Sequence, residues 1–483
     1  MTQGQVTQIV HVLKRHAKSV KTSLEHDGLL DKRFRMTQVE GDHSDWIAIP
    51  IIALPDTTSA MILSHGRQFC LYSTSKLGNN KNQISSDHHL TLVQHALLLF
   101  LNGGMTQNTS DTQHWIHSIQ GLDNRVCPRT LEVIGDDRTL VIPRYALDSN
   151  HEPLAHLIQN SNTSLHTQCL WEILAQVYHS PRVVRRGEID PQSAIRESGH
   201  TILWPIYHSS ETTTTTTTTI IGPSSPGWIT ITEQGISQSF DLTKVMFSRG
   251  NVTEKIRFGT LVQPNEVVLD MYAGIGYYTL PALIKGSAKH VYACEWNPHA
   301  ALALQYNLKA NQVQDRATVY IGDSRTLCRD NNISNMVDRI SLGLLPSSEG
   351  GWRTALTALR HDTGGWLHVH ANVPVLERLE WTWWLCQSLW RLTVERGDEK
   401  WIVYCKHVEK VKSFAPTINH YVADIFCGPR HQGKVTLGKE MIGVCRSDGQ
   451  LEQMPESIGP PSCALDPNGI LNQAWMREEI SLG

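Results

Sequence analysis

The chain has 483 residues, which is long for one domain. It is 40% hydrophobic and 18% charged, a globular balance that argues against a fibrous or wholly disordered protein. A net charge of −3 does not announce a nucleic-acid binder, although local patches matter more than the total. No apolar run is long enough to span a bilayer, and MTQGQVTQIVHVLKRHAKSVK lacks the apolar centre and cleavage site of a secretory signal. The segment could also form a basic amphipathic helix of an organelle signal, but its mixed polar character favours a cytoplasmic protein without a membrane partner; a monomer is also expected.

The ten cysteines are scattered and none forms C-x-x-C, so reduced thiols are expected and neither a zinc ribbon nor a redox pair. No H-E-x-x-H occurs among the 24 histidines. His88-His89, His368 and His370 read as surface or strand residues, and no metal site is expected.

In chain order, residues 1–105 mix short helical and strand patterns into an N-terminal α+β region. Within it, 90–101 (LTLVQHALLLFL) is either a buried helix or a strand pair. Residues 103–113 read as a linker, and 114–245 as an α+β middle domain. In that domain LEVIGDDRTLVIP, from Leu131, is a hairpin signal, and 170–179 has helical spacing. The threonine run at 212–219 cannot build a core, so a disordered loop is expected over 208–225. Residues 227–240 alternate around Gln234-Gly235, a second hairpin.

Beyond Phe240 the pattern changes. Candidate strands at 267–270, 290–294, 317–321, 339–343, 365–370, 400–405 and 420–426 alternate with candidate helices at 276–286, 298–310, 352–360 and 374–391. This predicts an α/β domain over 246–446: a doubly wound, mostly parallel seven-stranded Rossmann-like sheet, with one antiparallel strand at its edge. The tail, 447–483, is rich in turn-formers and is expected to be poorly ordered.

Ligands of such sheets bind beyond the carboxyl ends of the strands. The first strand runs into LDMYAGIGYYTLP, with Asp270, Gly274 and Gly276; the second ends at Glu295, which can accept ribose hydroxyls; the third ends at Asp323-Ser324, suited to an adenine edge. A nicotinamide dinucleotide fold would want a third glycine where Thr279 stands. The D-x-x-x-G-x-G pattern with two further acids instead resembles S-adenosylmethionine enzymes.

Four stretches, MFSRGNVTEKIRFG (246–259), DMYAGIGYYTLP, ACEWNPHA (293–300) and GDSR (322–325), closely resemble one family. It comprises the enzymes that act second in tRNA wybutosine synthesis, relatives of the guanosine-37 N1 tRNA methyltransferases. The likeness runs from about Val20 through Pro429. It implies an S-adenosylmethionine-dependent transferase that moves the 3-amino-3-carboxypropyl group, not methyl. The acceptor it implies is carbon 7 of 4-demethylwyosine at position 37, in the anticodon loop of phenylalanine tRNA. The family's cofactor contacts fall on Ser248, Lys255, Glu295, Asp323 and Ser324, the last departing from the Asn often seen there. Methylating relatives carry N-P-P-like or N-L-P segments after the fourth strand; here LGLLPSSEGGW places Gly343 at the Asn position, which removes a group suited to the guanine edge.

On this reading Lys255 partners the cofactor carboxylate, and no catalytic base is assigned. Trp381, Trp383, Trp384 and Trp390 read as packing rather than as a base-stacking surface. Arg185, Arg186, Lys406, Lys410 and Lys412 are candidates for the tRNA backbone. Two alternatives stay open: guanosine-37 N1 methyl transfer, which would release S-adenosylhomocysteine, and a non-catalytic tRNA-binding scaffold.

Overall fold

The structure, a computed structural model, describes residues 90–101, 110–205 (apart from 151, 161–166, 190–192 and 194), 222–429 and 461–462. It also describes the backbone of strands at 8–13, 37–38, 46–51, 70–72 and 442–445. The threonine run and nearly all of the tail lie outside these residues, as do His88 and His89.

The chain divides into two compact units: residues 1–99 with 106–121, and residues 100–105 with 122–483. In the first, β1 (Gln8–Leu13), β2 (Thr37–Gln38), β3 (Trp46–Ile51) and β4 (Cys70–Tyr72) form an antiparallel sheet in the order β2-β3-β1-β4. The ambiguous stretch 90–101 is a helix, α1 (Leu92–Leu101), opened by a reciprocal cap. The Thr91 amide donates to Gln94 Oε1 at 3.0 Å, and the Gln94 amide to Thr91 Oγ1 at 3.3 Å. The expected linker at 103–113 gives way at Ser110 to α2 (Ser110–Gln120).

The second unit opens with a small mixed sheet. It contains β5 (Glu132–Ile134), β6 (Thr139–Ile142), β7 (Val183–Arg185) and β8 (Thr201–Trp204), in sequential order; α3 (Leu154–Asn160) and α4 (Thr167–Val177) lie between β6 and β7 in the chain. The hairpin expected at 131–143 is β5–β6. The second expected hairpin is β9 (Trp228–Glu233) and β10 (Ile236–Asp241), turning on Gln234 (φ 52°) and Gly235 (φ 78°). Two left-handed residues match the right-handed strand twist, which is why Gln-Gly serves there.

The main sheet contains β11 (Val267–Asp270), β12 (His290–Glu295), β13 (Ala317–Ile321), β14 (Arg339–Leu342), β15 (Gly365–Pro374), β16 (Trp401–Ala415), β17 (Ile418–Pro429) and β18 (Ile442–Cys445). Its helices are α5 (Val252–Leu261), α6 (Thr279–Ile284), α7 (Pro298–Ala310), α8 (Ser324–Asp330), α9 (Trp352–Ala358) and α10 (Arg378–Glu395). The seven expected strands are all present. The strand order is β13-β12-β11-β14-β15-β17-β16-β18.

Two expectations need correction. The antiparallel strand β17 is not at the edge but slots between β15 and β16, pairing with both; the edge is the eighth strand, β18, antiparallel to β16. The helix α8, short and capped by Asp323, was not anticipated. A two-residue-period strand buried on both faces must feed two cores. Accordingly Leu269 packs with Trp352, Leu356, Trp381 and Leu385 of α9 and α10, while Val268 packs with Phe258, Leu280, Leu283 and Leu304 of α5, α6 and α7. Three of the four tryptophans of α10 are packing residues: Trp381 is buried, Trp390 packs against the same core, and Trp384 lies against Trp352, ring centroids 5.4 Å apart.

Asparagines fasten the β9–β10 hairpin to α7. Asn307 Nδ2 donates to the Ser239 and Ile275 carbonyls at 3.1 and 3.0 Å, and the Ser239 amide donates to Asn307 Oδ1 at 2.6 Å. This fixes Glu233, at the end of β9, beside α5.

Candidate active site

The glycine turn after β11 is shaped from behind. Asp270 is fully buried and does not line the pocket. Its Oδ2 accepts the Thr279 hydroxyl at 2.8 Å, and burial, outweighing these hydrogen bonds, pushes its carboxyl up to about 6. Gly276 (φ 105°) also stays behind the wall: a Cβ there would meet Leu280 Cγ at 2.8 Å and Leu304 Cδ1 at 2.9 Å, so this glycine serves packing. Of the turn's candidates, Gly274 (φ 56°) faces the pocket.

Glu295 ties the turn to β12. Its Oε2 accepts the Gly274 amide and its Oε1 the Asn297 amide, both at 2.7 Å; burial raises its carboxyl above the ordinary value. The Trp296 amide also donates to this carboxylate, so of its roughly four lone-pair sites about one is left for a ligand. Asp323 caps α8 by accepting the Arg325 amide at 3.0 Å and pairs with the Arg325 guanidinium at 2.6 Å. Glu295, Asp323 and Ser324 line one continuous cavity with Gly274, Ser248, Lys255 and Gly343.

Lys255 is no surface lysine. It is 4% exposed, pairs with Glu233 at 2.9 Å, and sits 4.9 and 5.3 Å from the Tyr277 and Phe247 ring centroids. Burial lowers its ammonium below the ordinary lysine range, and Glu233 opposes the shift. Ser248 is held by Tyr277, whose hydroxyl donates to the Met246 carbonyl at 2.8 Å and accepts the Ser248 amide at 3.1 Å.

Several lining residues escaped the sequence reading: Arg196, Asn251, Tyr277, Asn297, His370 and His420. Arg196 Nη2 donates to the Leu345 carbonyl at 2.6 Å, bracing the segment after β14. Asn251, Tyr277 and Asn297 lie inside the stretches quoted above, but Arg196, His370 and His420 fall in no local motif, because an irregular segment and the distant strands β15 and β17 deliver them. His368 instead sits in a buried network with Asp424 (2.7 Å) and Arg339 (2.8 Å).

The basic candidates divide. Arg185 Nη1 donates to the Arg144 and Ala146 carbonyls at 3.0 and 2.8 Å and stacks on Trp171, a structural role. Arg186 pairs with Glu132, which also holds Arg249. Lys412 donates to the Arg249 carbonyl at 2.8 Å; Lys406 and Lys410 are exposed.

A doubly wound sheet with an antiparallel strand beside its fifth parallel one, and acids at three successive strand ends, defines a methyltransferase-type α/β fold. Residues 230–380 match the family described as TRM5/TYW2 methyltransferase domain. The tRNA wybutosine-synthesizing protein 2 homolog of Danio rerio is 30% identical over 457 residues, 88% of this chain and 99% of that protein. The tRNA wybutosine-synthesizing protein 2/3/4 of Arabidopsis thaliana is 41% identical over 258 residues, 53% of this chain, and the match spans only 23% of that longer protein. A crystal structure of P. horikoshii TYW2 in complex with MeSAdo is similar at 25% identity and a TM-score of 0.46, covering 64% of this chain and 95% of that one. The chain belongs to the tRNA wybutosine-synthesizing protein 2 family.

Proposed function

We propose that the protein transfers the 3-amino-3-carboxypropyl group of S-adenosylmethionine to carbon 7 of 4-demethylwyosine at position 37 of phenylalanine tRNA, leaving 5′-methylthioadenosine. The observation that carries this reading is Lys255, a buried cation in the wall of the same cavity as Glu295 and Asp323. A methyl donor needs its adenosine held. A donor whose amino-acid chain must be aimed at the acceptor needs that chain held too, since attack requires short, near-collinear geometry.

The residues fit the donor. Glu295 keeps a lone pair for a ribose hydroxyl, Asp323 and Ser324 offer an acceptor and a hydroxyl to the adenine edge, and Lys255 has ammonium hydrogens beyond the one given to Glu233. When bound, S-adenosylmethionine supplies a sulfonium with three attackable carbons, and the orientation of the pocket selects among them. Gly343 leaves the acceptor side open; a Cβ there would meet no atom nearer than Tyr278 Cε2 at 3.5 Å. Family membership supports tRNA as the acceptor macromolecule.

The test uses two labels on tRNA bearing 4-demethylwyosine. Carboxyl label should enter the tRNA, and methyl label should leave with methylthioadenosine. Methyl label entering tRNA with unmodified guanosine at position 37 would overturn the reading in favour of N1 methylation.

A further inference from the structure

The cavity wall contains a pair of histidines. His370 on β15 and His420 on β17 meet across the antiparallel pairing, His370 Nδ1 to His420 Nε2, at 2.9 Å. Both are buried, 2% and 1% exposed, and both line the cavity. Their outer ring atoms, His370 Nε2 and His420 Nδ1, have no hydrogen-bond partner among the described residues. Buried polar atoms are rarely left so, and two in one pocket wall point to a ligand.

The pair also stands on the acceptor side. The β14–β15 register matches Leu342 with Val369, so the next step along both strands brings Gly343 and His370 alongside. Tyr278 links them. Its ring centroid is 5.0 Å from that of His370, and its edge is the nearest neighbour of the space above Gly343.

Burial holds His370 well below the ordinary imidazole range, and burial with nearby Lys412 brings His420 down to about 4. Both rings are thus neutral near pH 7. A neutral imidazole has one N–H and one lone pair. The inner bond uses one of each, so the two outer nitrogens together present one lone pair and one N–H, whichever tautomer is present.

We propose that the His370–His420 pair takes the proton that leaves carbon 7 of the acceptor base, an inference that rests on the aminocarboxypropyl reading above. Carbon 7 bonds to the methylene carbon next to the donor sulfur. The carbon–sulfur bond breaks and its electron pair stays on sulfur, neutralising the sulfonium. The tricycle then carries the positive charge and both substituents on carbon 7. The C–H electrons return to the ring as the proton passes to the imidazole lone pair. A weakly basic ring suffices, because such a cationic carbon acid is strongly acidic. The inner hydrogen bond lets the proton received at one outer nitrogen be matched by release from the other.

His370→Asn and His420→Gln keep an amide in place of the inner nitrogens and delete the outer ones. Single-turnover transfer from S-adenosylmethionine should fall about 100-fold or more in the double variant, the range of a lost general base. Calorimetric S-adenosylmethionine binding should stay as in the wild type. With deuterium at carbon 7 of the acceptor, the rate should be clearly isotope-sensitive in the variant and less so in the wild type, because proton loss becomes limiting. Transfer within a few-fold of wild type, or a slower rate with an unchanged deuterium effect, would overturn the proposal. If the double variant does not bind S-adenosylmethionine, the same two readouts on each single variant decide. Failure of the underlying reading would show separately, as methyl rather than carboxyl label moved by the wild-type protein.

Discussion

Lys255 keeps its charge inside the protein because Glu233 stands 2.9 Å away and two aromatic faces border it. That arrangement separates two kinds of ligand. Lys255→Ala should weaken S-adenosylmethionine about tenfold or more, the worth of a charge-assisted hydrogen bond. It should leave 5′-methylthioadenosine affinity nearly unchanged, since that molecule lacks the amino-acid chain. Equal losses for both ligands in calorimetry would assign Lys255 to the pocket's structure rather than to the carboxylate. Glu295 makes a second test. Its backbone bonds mean that Glu295→Ala removes both the proposed ribose acceptor and a brace of the Gly274 turn. Glu295→Gln retains one acceptor oxygen, so it should lose less affinity than Glu295→Ala, with both falling by about 1–3 kcal/mol or less in binding free energy. Titration of the two variants against wild type checks the order, and a Glu295→Ala protein of normal affinity and normal fold would contradict the assignment.

At the level of elements, the turn between β11 and α6 is a packing device as much as a binding one. Gly276 lies at φ 105° with Leu280 and Leu304 closing over it. Gly276→Ala should therefore destabilise the fold by about 1–3 kcal/mol, through both backbone strain and overpacking, and lower the melting temperature. The donor should bind once the variant is folded, because Gly276 does not face the cavity. Thermal unfolding with and without S-adenosylmethionine separates the two effects. Seven strands of the main sheet and the two hairpins were legible because their signals are local: short apolar runs, and Gln-Gly or Gly-Asp-Asp at the reversals. The position of β17 was not legible. Strand order is set by pairing between segments far apart in the chain, and nothing within 418–429 records which neighbours it joins.

For the whole molecule, binding to a polyanion should depend on salt even at a net charge of −3, since displaced counterions follow local charge. Arg185 already serves two backbone carbonyls, and Arg186 serves Glu132. Lys406 and Lys410, exposed on β16, are the better footprint. Replacing both with Ala should reduce the slope of log affinity against log salt by roughly one to two. Arg185→Ala should instead lower stability and leave the slope alone. A slope altered by Arg185→Ala and not by the lysines would reverse this placement of the tRNA.

By itself the sequence determined the kind of fold, the glycine turn, the acids at three strand ends and the family, since each is written within a few consecutive residues. Composition also set apart the threonine run, whose expected lack of a core lies outside the described residues. What only the tertiary structure decided are relations between distant residues: Glu233 against Lys255, Arg185 turned inward to carbonyls, Asp270 and Gly276 behind the wall rather than in it. The His370–His420 pair belongs here above all. The two rings are brought within 2.9 Å by one antiparallel register, and a shift of one residue would turn either ring to the opposite face of the sheet.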